Sequence, residues 1–466
     1  MKGLVLSVSK AAQYILFLFL GVAVHLKRSV QGENWRQPWL PQEYGIDEIS
    51  GFLPPAPLPK LPAEFRKWED ALIEAQKELS LGIDESPHGQ SRRTSGARWR
   101  DCIKTWPILN TDGLDGDIRF LQRAHMVLAY LVHFFAHSQP QADAGQCVLV
   151  PRSIAIPLTA VSRKLGIAPI LTFADVVLWN WTVANSDLPL SADNIRHEII
   201  FSGREDERSF YAKCAAVELQ AAEALKIINQ YCELPGVDDP EAITKIAEDL
   251  RNLADIVKGL KQVLESIREV VDPHTYYHEI RHWWKGSGSK EVGSPLWRYE
   301  GVDGSEILDL SGPSAGQSPA MHAIDMFLDV DHRLTEKRSP QPSASDRRAD
   351  RGFMERMRRY MQKPHREYLE YMANMPYQRR VRQVAARHPK QLRNAYNEAV
   401  MALKAFRDAH IRVACLYIIT MSNSEDASAP GANAKSSRGP ARGTGGMEVS
   451  ALLKASRNAT SRTILS

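Results

Sequence analysis

The sequence predicts an all-α protein, with a small N-terminal helical domain and a large C-terminal one. Three observations predict it. Glu241–Val271 places Ile243, Ile246, Leu250, Leu253, Val257, Leu260, Leu264 and Ile267 at three- and four-residue steps, and Gln391–Ile419 repeats that spacing with Leu392, Tyr396, Val400, Leu403, Phe406 and Val413. Asp117–Phe135 and Phe210–Gln230 are apolar over most of their circumference, as buried helices are. No convincing strand run and no internal repeat accompanies them.

Taken in order, residues 1–35 form an N-terminal extension, 36–201 the small domain and 202–466 the large one. Within the extension, Lys2 and Lys10 precede Tyr14–Val24 (YILFLFLGVAV), which is short for a membrane span and resembles a signal-peptide core or a marginal anchor. Gly51–Pro62 is proline-rich and should be extended, because proline fixes φ and lacks a backbone donor. Asp117–Phe135 reads as a buried helix, Pro151–Pro157 and Pro169–Ala174 as irregular, and Phe173–Trp181 as helix again. Phe210–Gln230 is an alanine-rich helix, and Asp272-Pro273 ends the long helix before it. Thr335–Arg351 and Ser422–Gly446 are rich in Ser, Pro, Gly and charge and read as mobile loops. A short terminal helix starts near Glu448.

Composition excludes several classes of function. The 466 residues carry a formal net charge of +4, with basic residues scattered apart from runs such as Arg379–Arg382, so no nucleic-acid surface is expected. The five cysteines, Cys102, Cys147, Cys214, Cys232 and Cys415, are odd in number, widely spaced and free of any CxxC. That argues against a disulfide framework or thiolate metal site and for a reducing compartment. A cytoplasmic location is expected, with membrane anchoring through Tyr14–Val24 as the alternative.

Fourteen histidines compete for a chemical role. His274, His278 and His282 lie four apart, as in helical metal chelates, but such sites need further ligands, and an exposed face is the better reading. His410 sits in the middle of an apolar helical pattern, where an imidazole must find a partner or leave the core. Arg407, three residues earlier, shares its face. From pattern alone, a core histidine with a backbone partner would be the preferred account.

Five short motifs change that balance: VPRSIAIP (Val150–Pro157), LTFADVVLWNW (Leu171–Trp181), SAGQS (Ser314–Ser318), MRRYM (Met357–Met361) and RDAHIRVACLYII (Arg407–Ile419). Their order and content resemble the haem-dependent indoleamine 2,3-dioxygenases, from about Ile49 to the end of the chain. The resemblance implies haem b as cofactor, with His410 as the metal ligand and Arg407 offering a guanidinium to a propionate. Asp325 matches a proximal-side aspartate that would orient the imidazole directly or through water, and His365 a histidine that does not ligate iron.

The same resemblance implies a binding site for L-tryptophan and O2. Arg281 aligns with the arginine that pairs the substrate carboxylate, a planar bidentate match. Tyr276 and Phe210 match indole-contacting aromatics, Phe173 and Val177 the inner wall, and Ser314 and Ala315 the loop crossing the haem. Thr444 in RGTGG matches a threonine on a loop that closes over the amino-acid end. Taken singly, Arg281 reads as an exposed helical arginine and the apolar residues as core packing.

Three positions depart from the family pattern. Cys214 stands for a distal serine, Pro313 for a glycine, and Trp284-Lys285-Gly286 follows Arg281 sooner than in mammalian relatives. The implied activity is insertion of both atoms of O2 across the indole C2–C3 bond to give N-formylkynurenine, the first step of the kynurenine pathway, with no side-chain acid or base. A monomer is expected, contacting membrane only if the extension is retained. An oxygen-binding or haem-sensing protein on the same fold is the rival reading.

Overall fold

The computed structural model describes residues 40–140, 147–288, 295–304, 308–388, 390–423 and 448–466. Pro41–Ser466 form one compact unit, and Met1–Leu40 a separate one of which only Leu40 is described. Tyr14–Val24, Thr444 and most of Ser422–Gly446 lie outside the described residues. Among those described, no helix is long and apolar enough to cross a membrane. The domain boundary near Phe201 stays a proposal about organisation.

The architecture is predominantly helical, as the periodicity predicts. Helices α1 (Arg66–Glu78) and α2 (Pro87–Lys104) precede α3 (Ile118–His137), which is buried on nearly every face from Leu121 to Ala136. Asp117 caps α3 by accepting from Arg119 N at 2.9 Å. A helix buried all round must satisfy its polar side chains internally. Arg123 pairs with Glu69, and His133 Nδ1 donates to Trp283 O at 2.7 Å, while His133 Nε2 has no partner among the described residues.

Four short strands are the first departure from expectation. Strand β1 (Cys147–Val150) pairs in parallel with a later one, Leu296–Tyr299, while β2 (Trp181–Val183) pairs antiparallel with β3 (Ile195–His197). Strands of three or four residues are too short for a two-residue alternation to stand out in sequence. The proline-flanked segment Pro151–Pro157 is the second departure. It belongs to α4 (Arg152–Leu165), with Pro157 inside the helix. An internal proline removes one hydrogen bond and costs about 3 kcal/mol in an exposed helix. Burial of Ile154, Ala155, Leu158 and Val161 on the same helix offsets that. Phe173–Trp181 is likewise not a continuous helix but one π turn, Ala174–Leu178, leading into β2.

The C-terminal half follows the predicted helices with small breaks. The alanine-rich segment divides at Ala221 into α5 (Glu205–Gln220) and α6 (Ala222–Glu233). The long apolar helix α7 (Pro240–Glu265) starts with proline in its first turn, where no backbone donor is needed. After the Leu296–Tyr299 strand, β4, come α8 (Pro319–Phe327), α9 (Ala344–Arg348), α10 (Phe353–Arg358), α11 (Lys363–Ala373) and α12 (Val381–Arg387). Helix α13 (Lys390–Ala414) packs along α7 and carries α14 (Val449–Ser461) on another side. Helix α9 lies inside Thr335–Arg351, read above as a loop. Ser343 and Asp346 form a capping box there, and Asp346 also accepts from Asn458 and Arg462 on or next to α14.

Candidate active site

A cavity of about 330 Å³ opens between α5, α8, α13, α14 and the loops joining them. Of the residues singled out from sequence, Phe173, Val177, Phe210, Cys214, Tyr276, Arg281, Ser314, Ala315, Asp325, Arg407 and His410 all line it. Thr444 lies outside the described residues.

Each wall has a local origin. On α5, Phe210, Cys214, Val217 and Glu218 recur at three- and four-residue steps and so share one face. Three π turns, Ala174–Leu178, Tyr276–Ile280 and Cys415–Thr420, carry Val176 and Val177, Tyr276, and Tyr417 and Ile418 respectively. An i→i+5 turn re-aims a side chain relative to the helix around it, and such turns concentrate at functional sites. The first turn is held from behind. Asp175 Oδ2 accepts from Thr172 N and Oγ1, and Oδ1 pairs with His125 Nδ1 at 2.7 Å, all of it buried.

Aromatic rings form the apolar end. Tyr276 packs against Phe210 (centroids 5.1 Å apart), Trp284 (5.6 Å) and Tyr417 (5.4 Å). Trp284 Nε1 donates to Tyr211 Oη, which donates to Glu207, so the polar tips of this cluster are tied down. The Tyr276 hydroxyl has no hydrogen-bond partner among the described residues, and burial raises its pKa. Arg281 is only 2% exposed, contrary to the default of an exposed helical arginine, and lies over the Tyr277 ring at 5.3 Å.

On the wall formed by α13, His410 has no hydrogen-bond partner among the described residues. Burial, helped by the neighbouring Arg407 charge, pulls its pKa down to about 4, so at neutral pH the ring is uncharged with one bare nitrogen. A neutral, unpartnered imidazole facing a cavity is what an iron ligand requires, and the donor set therefore fits a haem. Asp325 has two side-chain partners. Its carboxylate accepts from Arg407 Nη2 at 2.6 Å and pairs with His332 Nε2 at 2.9 Å, rather than bonding His410 directly. Burial alone would raise the Asp325 pKa, but Arg407 and then His332 hold it well below the usual carboxylate range. Arg407 also donates to Thr460 of α14, so its guanidinium is committed to protein partners.

His365 belongs elsewhere. It pairs with Gln362 and packs edge-on against Phe52, away from the cavity lining. The rings of His274 and His278 meet at a tilt with centroids 4.4 Å apart, and no group of three or more metal-binding side chains exists among the described residues.

Sequence reasoning missed Tyr211, Glu218, His332 and Tyr417 on the cavity wall. Helical spacing offered a signal for two: Glu218 lies four residues after Cys214, and Tyr417 seven after His410. Burial pushes Glu218 up to about 7, with Ser318 Oγ donating to its Oε1. Burial, with Glu218 nearby, pushes the Cys214 thiol up to about 12. Pro313 lines the cavity as well. Gly286 and Gly312 lie where two backbones meet. A Cβ on either would strike a carbonyl, of Leu310 or Trp284 respectively.

Comparison with known proteins accounts for this arrangement. Residues 40–463 match the family model described as Indoleamine 2,3-dioxygenase. Over 435 residues the chain is 33% identical to Indoleamine 2,3-dioxygenase 2 of Mus musculus, covering 91% of this chain and 95% of that one. Over 432 residues it is 30% identical to Indoleamine 2,3-dioxygenase 1 of Mus musculus, covering 91% and 96%. A protein of Haliotis madaka named Myoglobin is 28% identical over 389 residues, covering 82% and 90%. With nearly the whole of Pro41–Ser466 inside the match, this chain belongs to the indoleamine 2,3-dioxygenase family.

Proposed function

We propose that the chain is a haem-dependent dioxygenase that converts L-tryptophan and O2 to N-formylkynurenine. The observation that carries the reading is one cavity lined by both a neutral, unpartnered imidazole at His410 and a buried guanidinium at Arg281. Haem b held by His410 supplies the iron chemistry that binds and activates O2. Every other requirement falls to side chains. Arg281 pairs the substrate carboxylate, a charge-assisted contact that fixes the amino-acid end. Tyr276 and Phe210 hold the indole against Phe173 and Val177, and the loop bearing Ser314 and Ala315 covers it. Thr444 closes over the amino-acid end.

The reaction breaks the indole C2=C3 double bond and the O–O bond and forms two C=O bonds, so atoms balance with no proton gained or lost overall. The family resemblance implies that no side-chain acid or base is required. Cys214 supplies none, because its thiol keeps its proton up to about pH 12. The walls' contribution is position and exclusion of water. The protein acts as a cytoplasmic monomer, with membrane contact only if Tyr14–Val24 is retained.

The relative named Myoglobin favours a second reading, an oxygen-binding protein on the same fold. An oxygen store has no use for a carboxylate anchor, so the buried Arg281 supports the enzyme. The test is direct. Full-length protein loaded with haem and reduced is given L-tryptophan and O2. N-formylkynurenine is expected to accumulate, whereas reversible O2 binding without product would favour the second reading.

A further inference from the structure

Four residues of the Ser314–Ser318 segment face the cavity, and Gln317 does not. Its side chain points into the protein at 1% exposure. There Oε1 accepts from Phe173 N at 2.8 Å, and Nε2 donates to Gly312 O at 3.0 Å. Phe173 is the residue just before the π turn Ala174–Leu178, where a backbone donor has no partner within the turn. Gly312 begins the loop that leads through Pro313 to Ser314 and Ala315. One amide thus joins two cavity walls that are 144 residues apart in sequence.

The other ties on this loop run elsewhere. His322 Nε2 donates to Gly316 O at 2.9 Å, fixing the loop to α8, and Ser318 Oγ donates to Glu218, fixing it to α5. Neither reaches the Phe173 wall. The bridge also needs an acceptor and a donor on one planar group pointing opposite ways, at the end of a two-methylene stem. Glutamine alone meets that requirement.

We propose that Gln317 is a positioning residue: its bridging amide sets the spacing between the Ser314–Gly316 loop and the Phe173–Val177 wall, and so the width of the slot that receives the substrate ring. The inference rests on the reading of the cavity as a tryptophan site, and its test separates the two.

Gln317→Met keeps the volume and loses both hydrogen bonds, and Gln317→Glu keeps the acceptor while setting a carboxylate against Gly312 O. Gln317→Asn keeps both functions on a shorter stem and serves where the methionine variant does not fold. In haem-loaded protein, KM for L-tryptophan should rise roughly five- to tenfold, the worth of one neutral hydrogen bond, with kcat changed less. The C–O stretch of the reduced, CO-bound protein should shift or broaden, because both walls line the cavity that His410 also lines. Amide exchange in the peptide containing Phe173 should accelerate in Gln317→Met, which removes the acceptor of Phe173 N. A merely structural glutamine would lower the melting temperature and leave KM and the C–O stretch at parental values, and this result would overturn the proposal. Should the parent itself ignore L-tryptophan, the functional reading falls, and the C–O stretch still decides the role of Gln317.

Discussion

Replacing Asp325 with alanine tests how the α13 wall of the cavity is held. Asp325 is 3% exposed and its partner Arg407 8%. Removing the carboxylate leaves the guanidinium buried with Thr460 as its remaining partner. Breaking a buried pair from one side costs about 3–5 kcal/mol. With an unfolding entropy of about 2.1 cal/mol/K per residue over roughly 400 residues, that is a fall in melting temperature of about 4–6 °C. Thr460→Val, which removes a hydrogen bond and leaves the ion pair, should cost about 1 kcal/mol, or roughly 1 °C. The double replacement Asp325→Leu with Arg407→Met should recover most of the loss, because it leaves no buried charge alone. The pH dependence has a defined sign. The Asp325 carboxyl is depressed in the folded state, from an ordinary value of 3.8. Its stabilisation is therefore fully present above pH 4 and is lost progressively as pH falls below it. The gap between parent and Asp325→Ala, followed by calorimetry, should be constant from pH 7 to 5 and narrow below about 4. A melting point within about 1 °C of the parent at pH 7 would refute this account of the pair.

Three further outcomes follow from the site. His410→Ala should lose haem or activity while His365→Ala keeps the ferric and ferrous spectra; haem retained with an unchanged axial signature in the former would remove His410 as the ligand. Arg281→Ala should lower kcat/KM for L-tryptophan roughly tenfold to a hundredfold, the worth of a charged hydrogen bond, with little change in O2 binding. Indole-3-propionate should outbind indole in the parent and lose that preference in the variant. A chain starting near Glu33 should be soluble and equally active, since the family match begins at residue 40, and loss of haem on truncation would show that the segment belongs to the fold.

The helices were legible because their signal is local. Spacing alone marks α3 closely, and it marks α7 and α13 but runs past their ends into the separate turns Ile267–Val270 and Cys415–Thr420. What escaped is what depends on distant partners or on hydrogen-bond phase. Strand β1 exists because β4 lies beside it, 149 residues on from Cys147 to Leu296. A proline-containing helix survives because its apolar face is buried, a tertiary outcome overriding local preference. The three π turns differ from α-helix by one hydrogen-bond step, which residue type does not encode. Helix α9 is the instructive miss, because Ser343 and Asp346 announced it. A composition rich in Ser, Pro and charge outweighed a capping signal that the contacts with Asn458 and Arg462 later made good.

The site divides along the same line. Family resemblance carried the residues whose side chains touch the cavity, because ligand chemistry dictates their type. It carried less well what those residues do to one another. Arg407 and Asp325 were each assigned a role toward the haem and its ligand, yet they pair with one another. A carboxylate and a guanidinium buried 82 residues apart in sequence meet only in the folded chain. Their mutual neutralisation has a consequence for His410. The depression of its pKa comes from burial first and from Arg407 second. With Asp325 holding the guanidinium, the imidazole has a fixed cation beside it and no carboxylate bonded to it. The ring is therefore kept neutral by its surroundings rather than by a hydrogen-bonded base. A carboxylate bonded to the far nitrogen would raise the ring's basicity, and the arrangement here withholds that contact. On this geometry the pair's contribution is to hold α8, α13 and α14 together around the imidazole, and Asp325→Asn should lower the melting temperature.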